Sequence, residues 1–238
     1  MRVRVRYSKT GRVRYVSARD LTSVWERALR REGLPIAWSQ GFRPHPKVSF
    51  PDALPVGWDS TGEYAELTFT EDLEVERDLA RLSQALPAGM GILRWLVVPD
   101  GAPKLAAMLS HTLWEVELDP GMTVPQSDVP ARIERLLAAS SAEVIRHRPS
   151  GDKVLDVRPA VVALRHAGGP APRLRAVLSN DGPTIRPSDL VAALDPHDDL
   201  PVLRHRRVAQ GTGSVDGLVE ALSGDHVPID TSAVAEAA

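Results

Sequence analysis

One histidine of the chain lies in a segment whose sequence restricts its conformation. His45 stands between Pro44 and Pro46, with Arg43 and Lys47 on either side. The two prolines exclude a helix and favour an extended, stiff loop. In such a loop an imidazole can act as a general base or hydrogen-bond a phosphate-rich ligand. No Ser/His/Asp set or carboxylate pair is identifiable nearby, so we expect binding rather than catalysis, with His45 as the base if the protein is an enzyme.

Residue types that bind metals and redox cofactors are absent or scattered. The chain has no cysteine, which excludes a thiolate nucleophile, a zinc–thiolate site and a cysteine-ligated iron–sulfur cluster. Its seven histidines form no pair at helical spacing and no HExxH motif. We therefore expect neither a metal site nor a cofactor.

Positive charge is concentrated at the amino terminus. The first 50 residues hold twelve Lys and Arg but only three Asp and Glu, a net charge of +9, whereas the whole chain carries -2. Such an asymmetry favours a polyanionic partner for this segment, and RNA is the one we expect.

The first seven residues alternate arginine with apolar side chains, which is typical of a strand with one basic and one buried face. A second run follows the turn-like residues 8–11. Side by side, the two runs would form an open face of five arginines. The alternative is a solvated face whose arginines meet carboxylates from the acidic remainder, and the sequence favours neither. The five arginines are Arg2, Arg4, Arg6, Arg12 and Arg14.

The candidate nucleic-acid-binding residues combine these cations with the proline-flanked loop. The cations would contact phosphates, while Phe42 and His45 would stack on or hydrogen-bond an unpaired base. The candidates are Arg2, Arg4, Arg6, Lys9, Arg12, Arg14, Phe42, Arg43, His45 and Lys47.

A helix is predicted directly after the basic runs. Ser17 can cap it, apolar residues from Leu21 to Leu29 share one face, and Gly33 ends it. Arg27, Arg30 and Arg31 lie towards its carboxyl end. Cations there complement the helix dipole, which alone can account for them.

The elements that position these residues predict an α+β fold. Residues 1–104 follow the order β-α-β-β-α-β, and residues 105–210 repeat it, which predicts two tandem ferredoxin-like subdomains with antiparallel sheets. Residues 211–238 form a small-residue, acidic tail that we expect to be disordered. No apolar run is long enough to span a bilayer, so we expect no membrane contact and a cytoplasmic protein.

Several segments of the amino-terminal quarter resemble the radical-SAM-linked protein family. They are Arg4–Gly11, Tyr15–Ser17, Glu26–Arg31, Ser39–Phe42, Pro44–Phe50 and Leu54–Gly57. The resemblance implies a bacterial domain of unknown function, encoded beside or fused to radical SAM proteins with a cobalamin-binding domain. That family commonly has a histidine directly after the serine of the helix start, where this chain has Ala18. This departure favours a binding role.

The leading hypothesis is therefore a non-catalytic RNA-binding accessory protein. It would present a tRNA, rRNA or ribosomal substrate to a separate radical SAM enzyme with a cobalamin-binding domain. One alternative is a metal-independent ribonuclease or RNA-modifying enzyme that uses His45. Another is a protein–protein adaptor whose basic face docks on the radical SAM partner.

Overall fold

In the computed structural model, which describes residues 1–42, 44–197 and 199–230, the amino-terminal alternation of arginine and apolar residues forms strand β1 (Arg2–Lys9). Val3, Val5 and Tyr7 are buried, as the alternation predicts. They face a core in which the rings of Tyr7 and Trp25 meet edge to face, with centroids 5.1 Å apart. The apolar side of β1 is therefore the inner face of its sheet.

The first compact unit spans Met1–Met108. After β1 its elements are α1 (Ala18–Arg31), β2 (Val48–Ser49), β3 (Asp59–Thr68), α2 (Val75–Ala85), β4 (Ile92–Val97) and α3 (Leu105–Met108). Its sheet has the order β4-β1-β3, with β2 on the other side of β3, and all neighbouring strands are antiparallel.

Helix α1 begins where the sequence predicts. The side chain of Ser17 accepts a hydrogen bond from the backbone N–H of Asp20, and Leu21, Val24, Trp25, Ala28 and Leu29 are buried. The apolar face of α1 thus covers the inner face of the sheet and directs its other side to solvent.

The predicted second basic strand is wrong. Residues Gly11–Tyr15 form a short 3-10 helix instead, which the chain enters through Gly11 at a φ of 61°. The physical reason is that β1 already has β3 on one side and β4 on the other, so no edge is left for a further strand.

The second unit begins at Leu109. Its elements are β5 (His111–Leu118), α4 (Val129–Ala138), β6 (Glu143–Arg146), β7 (Lys153–Asp156), β8 (Val161–Ala167), β9 (Arg173–Ser179), α5 (Pro187–Leu194), β10 (Val202–Ser214), β11 (Gly217–Glu220) and β12 (His226–Pro228). Its main sheet has the antiparallel order β10-β5-β9-β8, and β6 pairs with β7 in a separate hairpin. Together with the first unit, this establishes a mixed α+β protein with mostly antiparallel sheets.

Two boundaries differ from those predicted. Helix α3, which follows the predicted boundary after residue 104, belongs to the first unit, where Met108 Sδ lies 2.9 Å from Arg4 Nη1. The expected disorder from residue 211 is wrong for residues 211–230, which complete β10 and form β11 and β12. A Cβ at Gly211 would collide with the carbonyl oxygen of Val219, so the small residues here permit close strand pairing rather than disorder. Residues 231–238 lie outside the described part of the chain.

Within the described ranges, no helix is both long enough and apolar enough to cross a membrane.

We expect a half-buried histidine to make the stability of the second unit pH-dependent. His205 lies on β10 opposite Val116, and burial lowers its pKa from 6.5 to about 4. In the unfolded chain the ring titrates near its ordinary value of about 6.5. Between these two values the unfolded state binds the proton and the folded state does not, so stability falls as the pH is lowered through this window.

We expect His205→Gln to flatten the pH dependence of unfolding between pH 6.5 and about 4. At ~1.36 kcal/mol per pKa unit, the wild type loses up to roughly 3 kcal/mol more than the variant over this range. Urea unfolding at several pH values measures the difference, with exposed His226→Gln as the control. Identical slopes for the wild type and His205→Gln would show that His205 is not buried in its neutral form.

Candidate nucleic-acid interface

The arginines of β1 are paired within the protein. Arg4 is 1% exposed, and its Nε donates a hydrogen bond to Glu66 Oε2 at 2.7 Å. Its Nη2 donates to the carbonyl oxygen of Pro103. Arg2 makes a second ion pair with Glu66 at 3.4 Å. The polar side of β1 is therefore partly covered and partly neutralised.

The other predicted cations around β1 also have internal partners. Arg6 Nε donates to the carbonyl oxygen of Thr61 at 2.8 Å, and the buried Lys9 donates from Nζ to the carbonyl oxygen of Arg14 at 3.3 Å. Arg14 donates to the hydroxyl of Tyr15 and lies 3.6 Å from Asp59, which together raise the pKa of its guanidinium above the ordinary value. Of the five predicted arginines, Arg12 is exposed, Arg2, Arg6 and Arg14 are half-buried and Arg4 is buried.

The open five-arginine face is thus not formed, and the alternative of internal carboxylates describes the structure. Register is the physical reason. Glu66 on β3 lies directly opposite Arg4, so their side chains emerge on the same side of the sheet. Glu66 and Asp59, the partners of Arg2, Arg4 and Arg14, lie outside the first 50 residues, so the charge count of that segment did not include them.

The proline-flanked segment forms a hairpin. Trp38 bridges to Pro46, Ser39 donates its N–H to the carbonyl oxygen of His45, and Lys47 donates its N–H to Ala37. Pro46 is buried and anchors the base, while Phe42, His45 and Lys47 are exposed, Phe42 completely. Arg43 lies outside the described residues. The hairpin therefore presents an aromatic ring and polar groups to solvent.

Helix α1 carries a row of exposed arginines, of which Arg27 and Arg31 were expected to complement the helix dipole. Arg19, Arg27 and Arg31 are exposed. Arg27 lies eight residues after Arg19 and four before Arg31, and these helical spacings place the three on one face. Among the residues that the structure describes, no carboxylate lies within ion-pair distance of them. Arg19 lies in the first turn, where the dipole disfavours a cation. That position was the signal in the sequence that the dipole does not explain this row.

Arg30 connects the helix with the hairpin. Its Nε lies 3.0 Å from Glu26 Oε1, and its guanidinium lies 4.5 Å from the ring centroid of Trp38 at the hairpin base. The helix row and the hairpin thus adjoin. We call this region the α1–hairpin surface, and it comprises Arg19, Arg27, Arg30, Arg31, Phe42, His45 and Lys47.

The surroundings of His45 contain no catalytic set among the described residues. Its backbone N–H donates a 2.9 Å hydrogen bond to Ser39 Oγ, and no described carboxylate or hydroxyl forms a hydrogen bond with its ring. Nor do the described residues contain a group of three or more side chains that could hold a metal ion.

The second unit contains basic side chains that are paired across its sheet. Arg204 lies 3.7 Å from Glu117, and Arg206 lies 3.7 Å from Glu115. Glu115 also lies 3.8 Å from both Arg173 and Arg175 on the neighbouring strand. This ladder neutralises the basic face that Arg204 and Arg206 would otherwise form.

Residues 2–187 match the family model described as "Uncharacterized protein conserved in bacteria (DUF2344)". The chain belongs to the DUF2344 family. The match confirms a bacterial domain family without an assigned function, while the association with radical SAM proteins stays a prediction. No curated protein matches the DUF2344 chain.

Two solved structures resemble the DUF2344 chain at low identity. One is a Cbf5-Nop10-Gar1 complex, with 10% identity and a TM-score of 0.47 over 87% of this chain and 48% of that one. The other is the archaeal box H/ACA sRNP Nop10-Cbf5 complex, with 11% identity and a TM-score of 0.42 over 92% of this chain and 51% of that one. The chain spans about half the length of these two solved chains.

We expect Glu66→Gln to destabilise the DUF2344 chain by roughly 3 kcal/mol, because the substitution leaves the buried guanidinium of Arg4 without its carboxylate. Urea unfolding measures the loss. Glu71→Gln, at an exposed position, is the matched control and should stay within about 0.5 kcal/mol of the wild type. Equal stability of the two variants would mean that the Arg4–Glu66 pair contributes nothing in solution.

Proposed function

We propose that the protein is a non-catalytic RNA-binding accessory protein that holds an RNA with unpaired nucleotides on its α1–hairpin surface. The observation that carries the proposal is the row of exposed arginines without carboxylate partners beside the completely exposed ring of Phe42. The substrate would be a tRNA, an rRNA or another ribosomal substrate. A separate radical SAM enzyme with a cobalamin-binding domain would supply the chemistry, as the family resemblance implies.

The helix row is suited to phosphates. Arg19 and Arg31 are twelve residues apart, which is about 18 Å along the helix axis at ~1.5 Å per residue. A rigid row of guanidinium groups over this length can contact several phosphates of one strand, and release of counterions then supplies affinity. Phosphate contacts of this kind position the RNA without reading its sequence.

The hairpin is suited to a base. A completely exposed phenyl ring contributes little to the stability of the unbound protein. It can stack on an unpaired base, and such stacking contributes about 1–3 kcal/mol to the binding free energy. His45 and Lys47 project from the same hairpin and can hydrogen-bond the stacked nucleotide. Unpaired bases are the usual target of such rings, because the deep groove of duplex RNA does not admit them.

We also infer that both units are ferredoxin-like subdomains. What supports this is the strand order β4-β1-β3-β2 in the first unit and β10-β5-β9-β8 in the second, each antiparallel. Along the chain, the first of these four strands in each unit (β1 or β5) is followed by a helix, and the last (β4 or β10) is preceded by another. The β6–β7 hairpin is then an insertion in the second subdomain.

We expect the combined substitution of Arg19, Arg27 and Arg31 by Gln to weaken RNA binding at least tenfold and to make its salt dependence shallower. Each lost phosphate contact on a single strand removes about 0.7 from the slope of log K against log salt. Filter binding at several salt concentrations measures both. The control replaces three exposed cations of the second unit, Arg148, Lys153 and Arg165, by Gln. Equal salt slopes for the two triple variants would contradict the assigned surface.

We expect Phe42→Ala to reduce affinity for single-stranded RNA by about 5- to 150-fold, which corresponds to the loss of one stacked base. The salt slope and the urea unfolding midpoint should stay those of the wild type, because the ring carries no charge and has no internal contacts to lose. Phe42→Trp should retain binding. Full affinity of the alanine variant would remove Phe42 from the interface.

If the wild type binds no RNA at low salt but copurifies with the radical SAM partner after nuclease treatment, the protein is an adaptor. RNA turnover that is lost in His45→Ala would instead establish the enzyme alternative.

A further inference from the structure

Strand β4 forms an edge of the sheet in the first unit. It pairs with β1 on one side, and no described strand pairs with its other side. The backbone of such an edge can pair with another strand, so natural proteins usually protect apolar edges with charges, proline or a covering segment. The six residues of β4 include a single charged side chain, Arg94, and no proline. The edge therefore has little of the usual protection.

Three apolar side chains of β4 are exposed. Leu93, Trp95 and Val97 expose 47%, 42% and 41% of their surface. Trp95 lies opposite the buried Val5 of β1, so it emerges on the helix-covered side of the sheet, and Val97, two residues later, shares that side. Leu93 and Trp95 line a groove of about 440 Å³ between β4 and α2. Helix α2 thus leaves apolar surface at this edge uncovered.

The backbone groups of Trp95 and Val97 point to the open side. The N–H of Val98 donates to the carbonyl oxygen of Arg2 at 2.9 Å, so Val98 bonds towards β1. In an antiparallel pair, residues bonded to the neighbouring strand alternate with residues whose N–H and C=O point away from it. The register with β1 shifts only at the amino end of β4, so the alternation holds over Trp95 and Val97. These two residues offer a second strand its donors and acceptors.

We propose that two copies of this chain associate through β4, with the two strands antiparallel about a two-fold axis at Trp95. The axis stands perpendicular to the sheet, so each side chain meets one from the same face of the second copy. Trp95 lies opposite Trp95 of the second copy, and Leu93 lies opposite its Val97. The exposed apolar side chains of both copies then cover each other. The association is independent of RNA.

The charge of Arg94 favours this register. A two-fold axis at Arg94 would place two guanidinium groups directly opposite each other, and like charges at such positions are destabilising. An axis at Trp95 places Arg94 opposite Leu96 of the second copy instead. The strand is thus complementary to itself in the register that also pairs its exposed apolar residues.

Groups on α2 also complement a second copy. The N–H of Ile92 donates to Ser83 Oγ at 2.9 Å, so the carboxyl end of α2 adjoins the amino end of β4. Antiparallel pairing of the strands therefore brings the carboxyl end of one α2 towards the amino end of the other. Gln84 and Glu76 line the groove at these two ends, and both are exposed. The amide of Gln84 can then donate to the carboxylate of Glu76 of the second copy, which favours a second copy as the occupant.

The size of the contact predicts a weak dimer. Six residues at about 3.4 Å each give the strand a length of roughly 20 Å. One sheet layer and one helix layer are each about 10 Å thick, so the contact covers roughly 400 Å² per copy. The total of about 800 Å² lies below the ~1,200 Å² of stable interfaces and within the range of transient ones. We therefore expect a dissociation constant in the micromolar range or above.

Sedimentation velocity of nuclease-treated protein, from low micromolar to near millimolar concentration, measures the association. We expect the wild type to shift from one chain to two. Trp95→Lys should raise the dissociation constant at least about tenfold, because it removes a central aromatic anchor and places two ammonium groups on the axis. The matched control is Val154→Lys, at a strand position of the second unit that is 60% exposed, and it should dimerise like the wild type.

Two results of this experiment would overturn the proposal. One is a wild type that remains a single chain at the highest concentration. The other is a Trp95→Lys variant that associates as strongly as the wild type, or no more weakly than Val154→Lys.

Val97→Pro tests whether the strand edge itself makes the contact. The substitution removes an N–H that points to the open side, so it should weaken the dimer while the urea unfolding midpoint stays near that of the wild type. Val97→Thr keeps the N–H and should retain the dimer. Wild-type association of a folded Val97→Pro variant would show that the edge is not used. If Val97→Pro does not fold, a crosslink decides.

The crosslink exploits the absence of cysteine from the chain, which makes an introduced thiol unique. Opposite residues of a hydrogen-bonded antiparallel pair have Cα atoms about 5.5 Å apart, within the ~4.4–6.8 Å that a disulfide spans. Trp95→Cys should therefore form a covalent dimer on mild oxidation, whereas Val154→Cys, at a more exposed position, should not. A Trp95→Cys variant that forms no dimer, or forms it no faster than Val154→Cys, would overturn the proposed axis.

Discussion

The first unit depends on Glu66, the carboxylate that lies between two arginines of its central strand. Arg4 is buried, and its Nε lies 2.7 Å from this carboxylate, while Arg2 shares it at 3.4 Å. A buried guanidinium without such a partner would strongly destabilise the fold. Arg4 also bonds to the carbonyl oxygen of Pro103, so the same side chain fixes the segment after β4. The charge of Arg4 therefore has a structural role in the first unit.

Local periodicity predicted the elements that bury one face. Alternation in residues 2–7 predicted β1, and the helical spacing of Leu21, Trp25 and Leu29 predicted α1. Both predictions succeed because the side of an element that is buried depends on residues within a few positions of each other. The exclusion of a helix around His45 is confirmed for the same reason, since two prolines restrict the backbone locally, whereas the hairpin that the segment forms was not predicted.

The partners of the charged side chains could not be predicted in this way. Glu66 is 62 residues from Arg4 in the sequence, and only the register between β1 and β3 brings them together. Arg12 and Arg14 show the same limit, because nothing in their alternating pattern reports that both sides of β1 are occupied. At residue 211 the composition suggested disorder, whereas the small residues allow two strands to approach closely. In each case the deciding contact is remote in sequence.

The exposed groups of the first unit differ in how they would respond to salt. The arginines of α1 carry charge, and salt screens the field of an exposed charge over a Debye length of about 8–10 Å at physiological ionic strength. The ring of Phe42 carries no charge, so stacking on it would be much less sensitive to salt. In the proposed complex, rising salt would therefore weaken the contacts of the helix while leaving the contribution of the ring nearly unchanged.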